Sequence, residues 1–264
     1  MRRGMSWFNV TSVSFGLAFL YLPMLVLVVY SFNASKLVTV WAGFSTKWYG
    51  SLFHNAKFLD AALISLKVAL VSAMLATALG TMTAFVLVRA GRFPGRMVFA
   101  MLVFAPLVMP EVIIGLSTLL LFIAVGLDRG MWTIILAQST VQISFVTVIV
   151  AARLASHDRS MDEAAQDLGC TQLTAFWLVT LPLIAPAVVS GWFLAFSLSL
   201  DNLVVASFTS GPESTTLPVR LFSMVRTGVS PEINALSTIV IGIVATGVIA
   251  AALVERRARR KTTD

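Results

Sequence analysis

The chain has 264 residues, 58% of them hydrophobic and only 12% charged, with a net charge of +7. A soluble domain carries about twice that share of charge, so the composition excludes an ordinary water-soluble globule. One cysteine, Cys170, and two histidines, His54 and His157, exclude a disulfide framework and a multi-ligand metal site.

Six apolar runs are long enough to cross a bilayer core of about 30 Å as helices. They lie near 13–32, 61–88, 97–125, 131–153, 187–208 and 233–254, which makes the expected fold an all-α polytopic membrane protein in one domain over 1–264. The first run follows "MRR", but it is long, contains Pro23 and lacks an A-x-A cleavage site, so a retained helix is expected. Placing the N-terminus in the cytoplasm puts twelve Lys and Arg on inside segments and six on outside ones. The "RRARRK" tail then reads as an inside anchor rather than a nucleic-acid patch, and both termini face the cytoplasm. Between the last two spans, "TTLPVRLFSMVRTG" places Leu217, Leu221, Met224 and Val225 at helical spacing, which predicts a short helix on the outer face. No G-x-x-x-x-G-K-[ST] loop is present, so ATP could act only through another subunit.

The inside loop 154–186 is unusual because it is polar and capped. "SMDEAAQDLG" begins with the capping-box pattern Ser160-x-x-Glu163, and Met161, Ala164, Ala165 and Leu168 follow on one face. Gly169 supplies a permissive helix end, and a second short helix is expected from Thr171 to just before Pro182. Such a hairpin could be a connector held at the headgroups by Phe176 and Trp177, a DNA-binding helix-turn-helix, or a knob that docks on a cytoplasmic partner. The acidic first helix and its tether between spans disfavour DNA.

"EAAQDLGCTQLTAFWLVTLPLIAP" resembles the EAA loop of ABC-importer permeases, carried by Glu163, Ala164, Ala165, Gly169, Leu181 and Pro182. "YLPMLVLVVYSFNASKLVTVWAGFSTKWY", "PLVMPEVIIGLSTLLLF", "FSLSLDNLVVASFTSGP" and "TTLPVRLFSMVRTGVSPEINALST" are similar to the permeases of spermidine/putrescine importers, the putrescine type above all. The resemblance implies a type I permease with six transmembrane helices in the bacterial inner membrane. It further implies a homologous second permease, two ATPase subunits that bind and hydrolyse the ATP, and a periplasmic polyamine-binding protein. In that family the EAA helix is the coupling helix, seated on the ATPase, and the permease itself needs no cofactor and performs no enzymatic chemistry.

Three ionisable residues fall inside spans: Lys67, Glu111 and Asp201. Each costs about 2.5–3.5 kcal/mol near mid-bilayer, so each demands a partner or a wet cavity. Counting at 1.5 Å per residue puts Glu111 and Asp201 about 21 Å above the inner boundary and Lys67 about 9 Å below the outer one. All three then share nearly one layer. For a polycation importer, Glu111 and Asp201 are expected to line the translocation path, with Ser199 and Asn202 as supporting polar groups. The competing expectation is that Lys67 neutralises one carboxylate in a structural pair. Family members often carry two aspartates where this chain has Asp201–Asn202. The remaining alternatives are a permease for another small organic cation or an iron complex, a secondary transporter, an intramembrane enzyme and a non-transporting scaffold.

Overall fold

The computed structural model describes residues 7–37, 40–156, 158–227 and 231–261, and the side chains of these except 227 and 248–261. The described residues form helices and connecting loops, with one isolated bridge between Asn33 and Phe44. His157, Arg2, Arg3 and the tail side chains, on which part of the expected charge asymmetry rests, lie outside them.

Two compact units are distinguished, residues 60–220 and residues 1–59 with 221–264. In the second, α1 (Trp7–Ser31) and α2 (Lys47–His54) pack against α12 (Pro231–Lys261). The loop after α1 closes around the buried Asn33. Its Oδ1 accepts from Ser35 N at 3.1 Å and Ala42 N at 2.9 Å, and its Nδ2 donates to Val40 O at 2.7 Å. One amide thus satisfies three backbone groups that a loop would otherwise leave to water. Ser51 on α2 donates to the Glu232 carboxylate at the start of α12.

The larger unit is built around α6 (Met131–Ala155), flanked by α3 (Ala56–Arg89) and α9 (Leu181–Asp201). Lipid offers no hydrophobic drive for one helix to seek another, so close approach and interhelical hydrogen bonds must hold them. On α3 the small residues Ala69, Ala73, Ala76 and Ala84 are buried along one face. Gly80 sits among them, where an added Cβ would lie 2.8 Å from Val146 Cβ on α6. Gly191 on α9 meets the same valine from the other side. Val146, Val150 and Leu154 fill the seam between the three helices.

Among the described residues, four helices are long and apolar enough to cross a membrane. The bent pair α4 (Arg96–Val108) and α5 (Glu111–Ala124) has the combined length and apolarity of a fifth, and the described apolar stretch of α12 is shorter than a full span. These elements agree with a six-span plan in which the third span is broken. The chain bends by 117° between α4 and α5. Pro110 is the cause: it lacks an N–H for the ladder and drives Met109 into an extended conformation, ψ 138°.

The fifth span also differs from expectation. It ends at Asp201, because Asn202 adopts an extended ψ of 101°. Its Oδ1 accepts from Val205 N at 3.0 Å and Ala206 N at 3.3 Å, starting a separate short helix, α10 (Val204–Thr209). The expected short helix between the last two spans is present as α11 (Leu217–Thr227).

Candidate functional site

The segment between α6 and α9 opens with α7 (Ser160–Asp167). Its cap is not the expected Ser160–Glu163 box. Ser160 is already helical, and its N–H donates to Asp158 Oδ1 at 3.0 Å, so the residue two earlier does the capping. The C-terminus is as expected. Gly169 takes φ +93°, Cys170 N donates to Ala165 O at 3.1 Å and Gly169 N to Gln166 O at 2.9 Å, the paired bonds of a Schellman end.

The faces of α7 are the reverse of a helix packed on its own core. Met161 is 49% and Leu168 88% exposed, and Glu163 and Ala164 are exposed with them. The side turned inward carries Asp162, which pairs with Arg89 Nη2 at the end of α3 at 3.1 Å and accepts from Thr180 Oγ1 at 2.8 Å. Apolar surface turned outward beside an inward acid is the arrangement of a helix built to meet something else.

After α7, α8 (Gln172–Ala175) is capped by Thr171, whose side chain accepts from Thr174 N at 3.2 Å. The expected stop before Pro182 does not occur. Phe176–Thr180 forms a π-helical turn, with Leu181 N bonded to Phe176 O, and the chain runs on unbroken into α9. Pro182 cannot donate to the fourth carbonyl before it, and the wider turn absorbs that loss without ending the helix. Leu181 and Pro182 therefore join the loop to the span rather than separating them.

The charged layer can be placed by contacts to α6. Ser139 Oγ donates to Ser72 O at 3.4 Å and Thr147 Oγ1 to Gly80 O at 3.3 Å, so α3 runs parallel to α6. Ser199 Oγ donates to Gln138 Oε1, and Gly191 faces Val146, so α9 runs antiparallel. Ser144 Oγ donates to Val103 O at 2.6 Å, and Arg96 Nη2 bonds Leu87 O at the end of α3, which gives the direction of α4. Counting along the helices from these contacts brings Lys67 and Asp201 level with residues 134–136 of α6, to within about one turn, while Glu111 follows the bend after α4.

All three side chains are exposed on the surface of this chain. Among the described residues no ion pair joins Lys67 to Glu111 or Asp201, so the structural pair is not formed within the chain. Glu111 is the first residue of α5, directly after the bend. Asp201 is the last of α9.

Ser199 and Asn202 are placed differently. Ser199 is buried, held between Gln138 and Ser72 Oγ at 3.1 Å, and Asn202 spends its carbonyl oxygen on the start of α10. Both fix the end of α9 beneath Asp201 rather than presenting polar groups outward. Gln138 is an addition to the expected residues. Its signal is a pair of glutamines, Gln138 and Gln142, one turn apart inside an apolar span, where a polar side chain needs an interhelical partner.

Residues 76–262 match the family of binding-protein-dependent transport system inner membrane components. The chain belongs to that family: it is an inner-membrane component of an ABC-type transport system. It is 54% identical over 256 residues to the putrescine transport system permease protein PotI of Escherichia coli K12, covering 94% of this chain and 91% of the relative. It is 42% identical over 239 residues to the spermidine/putrescine permease PotC of the same organism, covering 90% of each. A bacterial ABC transporter that imports the acidic polysaccharide alginate contains a chain of like fold, TM-score 0.71, at 15% identity and 94% coverage of both chains. A chain of a bacterial alginate ABC transporter in complex with an alginate pentasaccharide-bound periplasmic protein is also similar, with a TM-score of 0.69 at 17% identity, covering 92% of this chain and 90% of that one. The fold is that of a type I ABC-importer permease.

Proposed function

We propose that this chain is a transmembrane permease subunit of an ATP-driven polyamine importer, forming part of the translocation path and carrying no enzymatic chemistry of its own. The observation that carries the substrate class is the 54% identity to a putrescine permease over nearly the whole chain. The chain acts as one permease domain over 1–264, both termini cytoplasmic, beside a second homologous permease, two ATPase subunits and a periplasmic polyamine-binding protein. ATP stays on the ATPase subunits.

The loop 154–186 couples to the ATPase through Glu163, Ala164, Ala165, Gly169 and Pro182. The outward-turned Met161 and Leu168 support this, since nothing in the described chain covers them. Glu111 and Asp201 lie along the path, where carboxylates in one layer offset the dehydration of a substrate's ammonium groups without holding it tightly. Ser199 and Asn202 serve Asp201 by fixing the backbone on either side of it. Closure of the ATPase dimer moves α7, the spans reopen toward the loaded binding protein, and hydrolysis resets the inward-facing state. ATP supplies the difference in free energy between the two states, because only a ligand that prefers one of them can shift the balance.

The test is uptake of labelled putrescine by cells with and without the chain, in a background lacking other polyamine importers, with spermidine as competitor. Loss of uptake without the chain is expected. Unchanged uptake overturns the substrate, while a different cation or iron complex lost instead would identify the cargo.

A further inference from the structure

The loop holds a feature that the docking role does not require. Asp162 is part-buried on α7 while Leu168 is exposed, and it is tied at once to two other elements. Arg89 Nη2 reaches its Oδ2 at 3.1 Å from the end of α3, with the two side chains only 10% and 14% exposed. Thr180 Oγ1, buried in the π-helical turn, donates to its other oxygen at 2.8 Å. Arg159 at the start of α7 adds a second tie to α3, donating to Val88 O at 2.8 Å. Phe85 on α3 meets Phe176 in the π-helical turn edge-on at 5.0 Å, which closes the triangle.

These links span a cleft of about 390 Å³ lined by Phe85, Arg89, Arg159, Asp162, Glu163 and Phe176. The cleft leaves the polar contacts of Asp162 and Arg159 as ties from α7 to α3. A shielded charge pair with a second hydrogen bond is stiff and directional in a way that an exposed pair is not.

We propose that Arg89, Asp162 and Thr180 form a strut that carries the displacement of α7 into α3 and α9 together. The proposal rests on α7 being the coupling element. The residues are positioning residues: they touch neither substrate nor nucleotide. Both helices they reach carry a member of the charged layer, Lys67 on α3 and Asp201 at the far end of α9. Because the helix from Gln172 to Asp201 is continuous, a push at Thr180 is delivered along a rod to Asp201 without a loop to absorb it. The π-helical turn has a second use here, since it sets the direction in which Thr180 points toward Asp162.

The experiment uses the complete importer in proteoliposomes, reading ATP hydrolysis and labelled putrescine uptake together. Arg89→Glu and Asp162→Arg singly should leave the complex assembled and hydrolysing ATP, with putrescine moved per ATP falling about tenfold, a typical coupling loss. The double charge reversal should return most of it. Thr180→Val keeps the volume, removes one hydrogen bond, and should lower the ratio in the same direction by less. Single variants that keep the ratio overturn the strut, and so does a double variant that regains nothing. If the charge variants do not assemble, Thr180→Val decides, and an unchanged ratio there overturns it. Leu168→Glu separates this from the docking reading: if it leaves ATPase association intact, docking has failed, whereas released ATPase alongside an unaltered Arg89→Glu ratio means that only the strut has failed.

Discussion

Asp201 ends a membrane helix with its carboxylate exposed on the chain and its backbone fixed from both sides. Ser199 is tied to Gln138 and Ser72, and Asn202 starts α10. Neither neighbour competes for the carboxylate, which leaves it available to a cation. Asp201→Asn should therefore lower uptake about tenfold or more, the value of a charged hydrogen bond lost from a low-dielectric site. Hydrolysis by the ATPase and assembly should be retained, and comparing uptake with hydrolysis in the same vesicles checks this. Intact uptake would remove Asp201 from the path. At this scale the sequence displays the charges, because carboxylates in apolar runs cannot be overlooked. It does not display what the neighbours do. Ser199 and Asn202 read as extra polar lining, and only the register of α9 on α6 makes one a buried fastener and the other a cap.

Among the elements, the seam of α3, α6 and α9 depends on how near the backbones come. Gly80 brings α3 close to α6: the place a methyl group would take there is already occupied by Val146 Cβ and Cγ1 at 2.8 and 2.9 Å and by Ile143 O at 3.1 Å. Gly80→Ala should destabilise the subunit by about 1–3 kcal/mol, the usual cost of overpacking. A thermal melt in detergent checks it, and an unchanged melting temperature would mean the seam is looser than the geometry indicates. Helix positions are mostly legible, since apolar runs flanked by charge leave little choice in a bilayer. Helix breaks are legible only in part. Local pattern has proline stopping a helix at Pro182 and breaking the ladder at Pro110. In the structure Pro182 is absorbed by a π-helical turn, while Pro110 stands at a bend of 117°. Each outcome is within proline's chemistry, and the surrounding packing decides between them. The cap of α7 departs from expectation for a similar reason: Asp158 and Ser160 both satisfy the local pattern, and only the backbone selects Asp158.

For the molecule as a whole, the chain divides its work between two ends of one unit. At one end α7 turns apolar surface outward and holds the spans through Asp162, and at the other Lys67 and Asp201 lie level on α3 and α9. The charge strut between Arg89 and Asp162 is not legible in the sequence, because the two residues are far apart in the chain and each reads singly as loop solvation. The central claim, that ATP hydrolysed elsewhere drives a polyamine through this chain, is tested most directly by one measurement. The complete importer is reconstituted with ATP enclosed on the cytoplasmic side or with an imposed proton or sodium gradient and no ATP, and labelled putrescine uptake is followed in each. Uptake with ATP alone, abolished by omitting the binding protein, is the predicted result. Uptake driven by the gradient without ATP would contradict it and make the chain a secondary transporter.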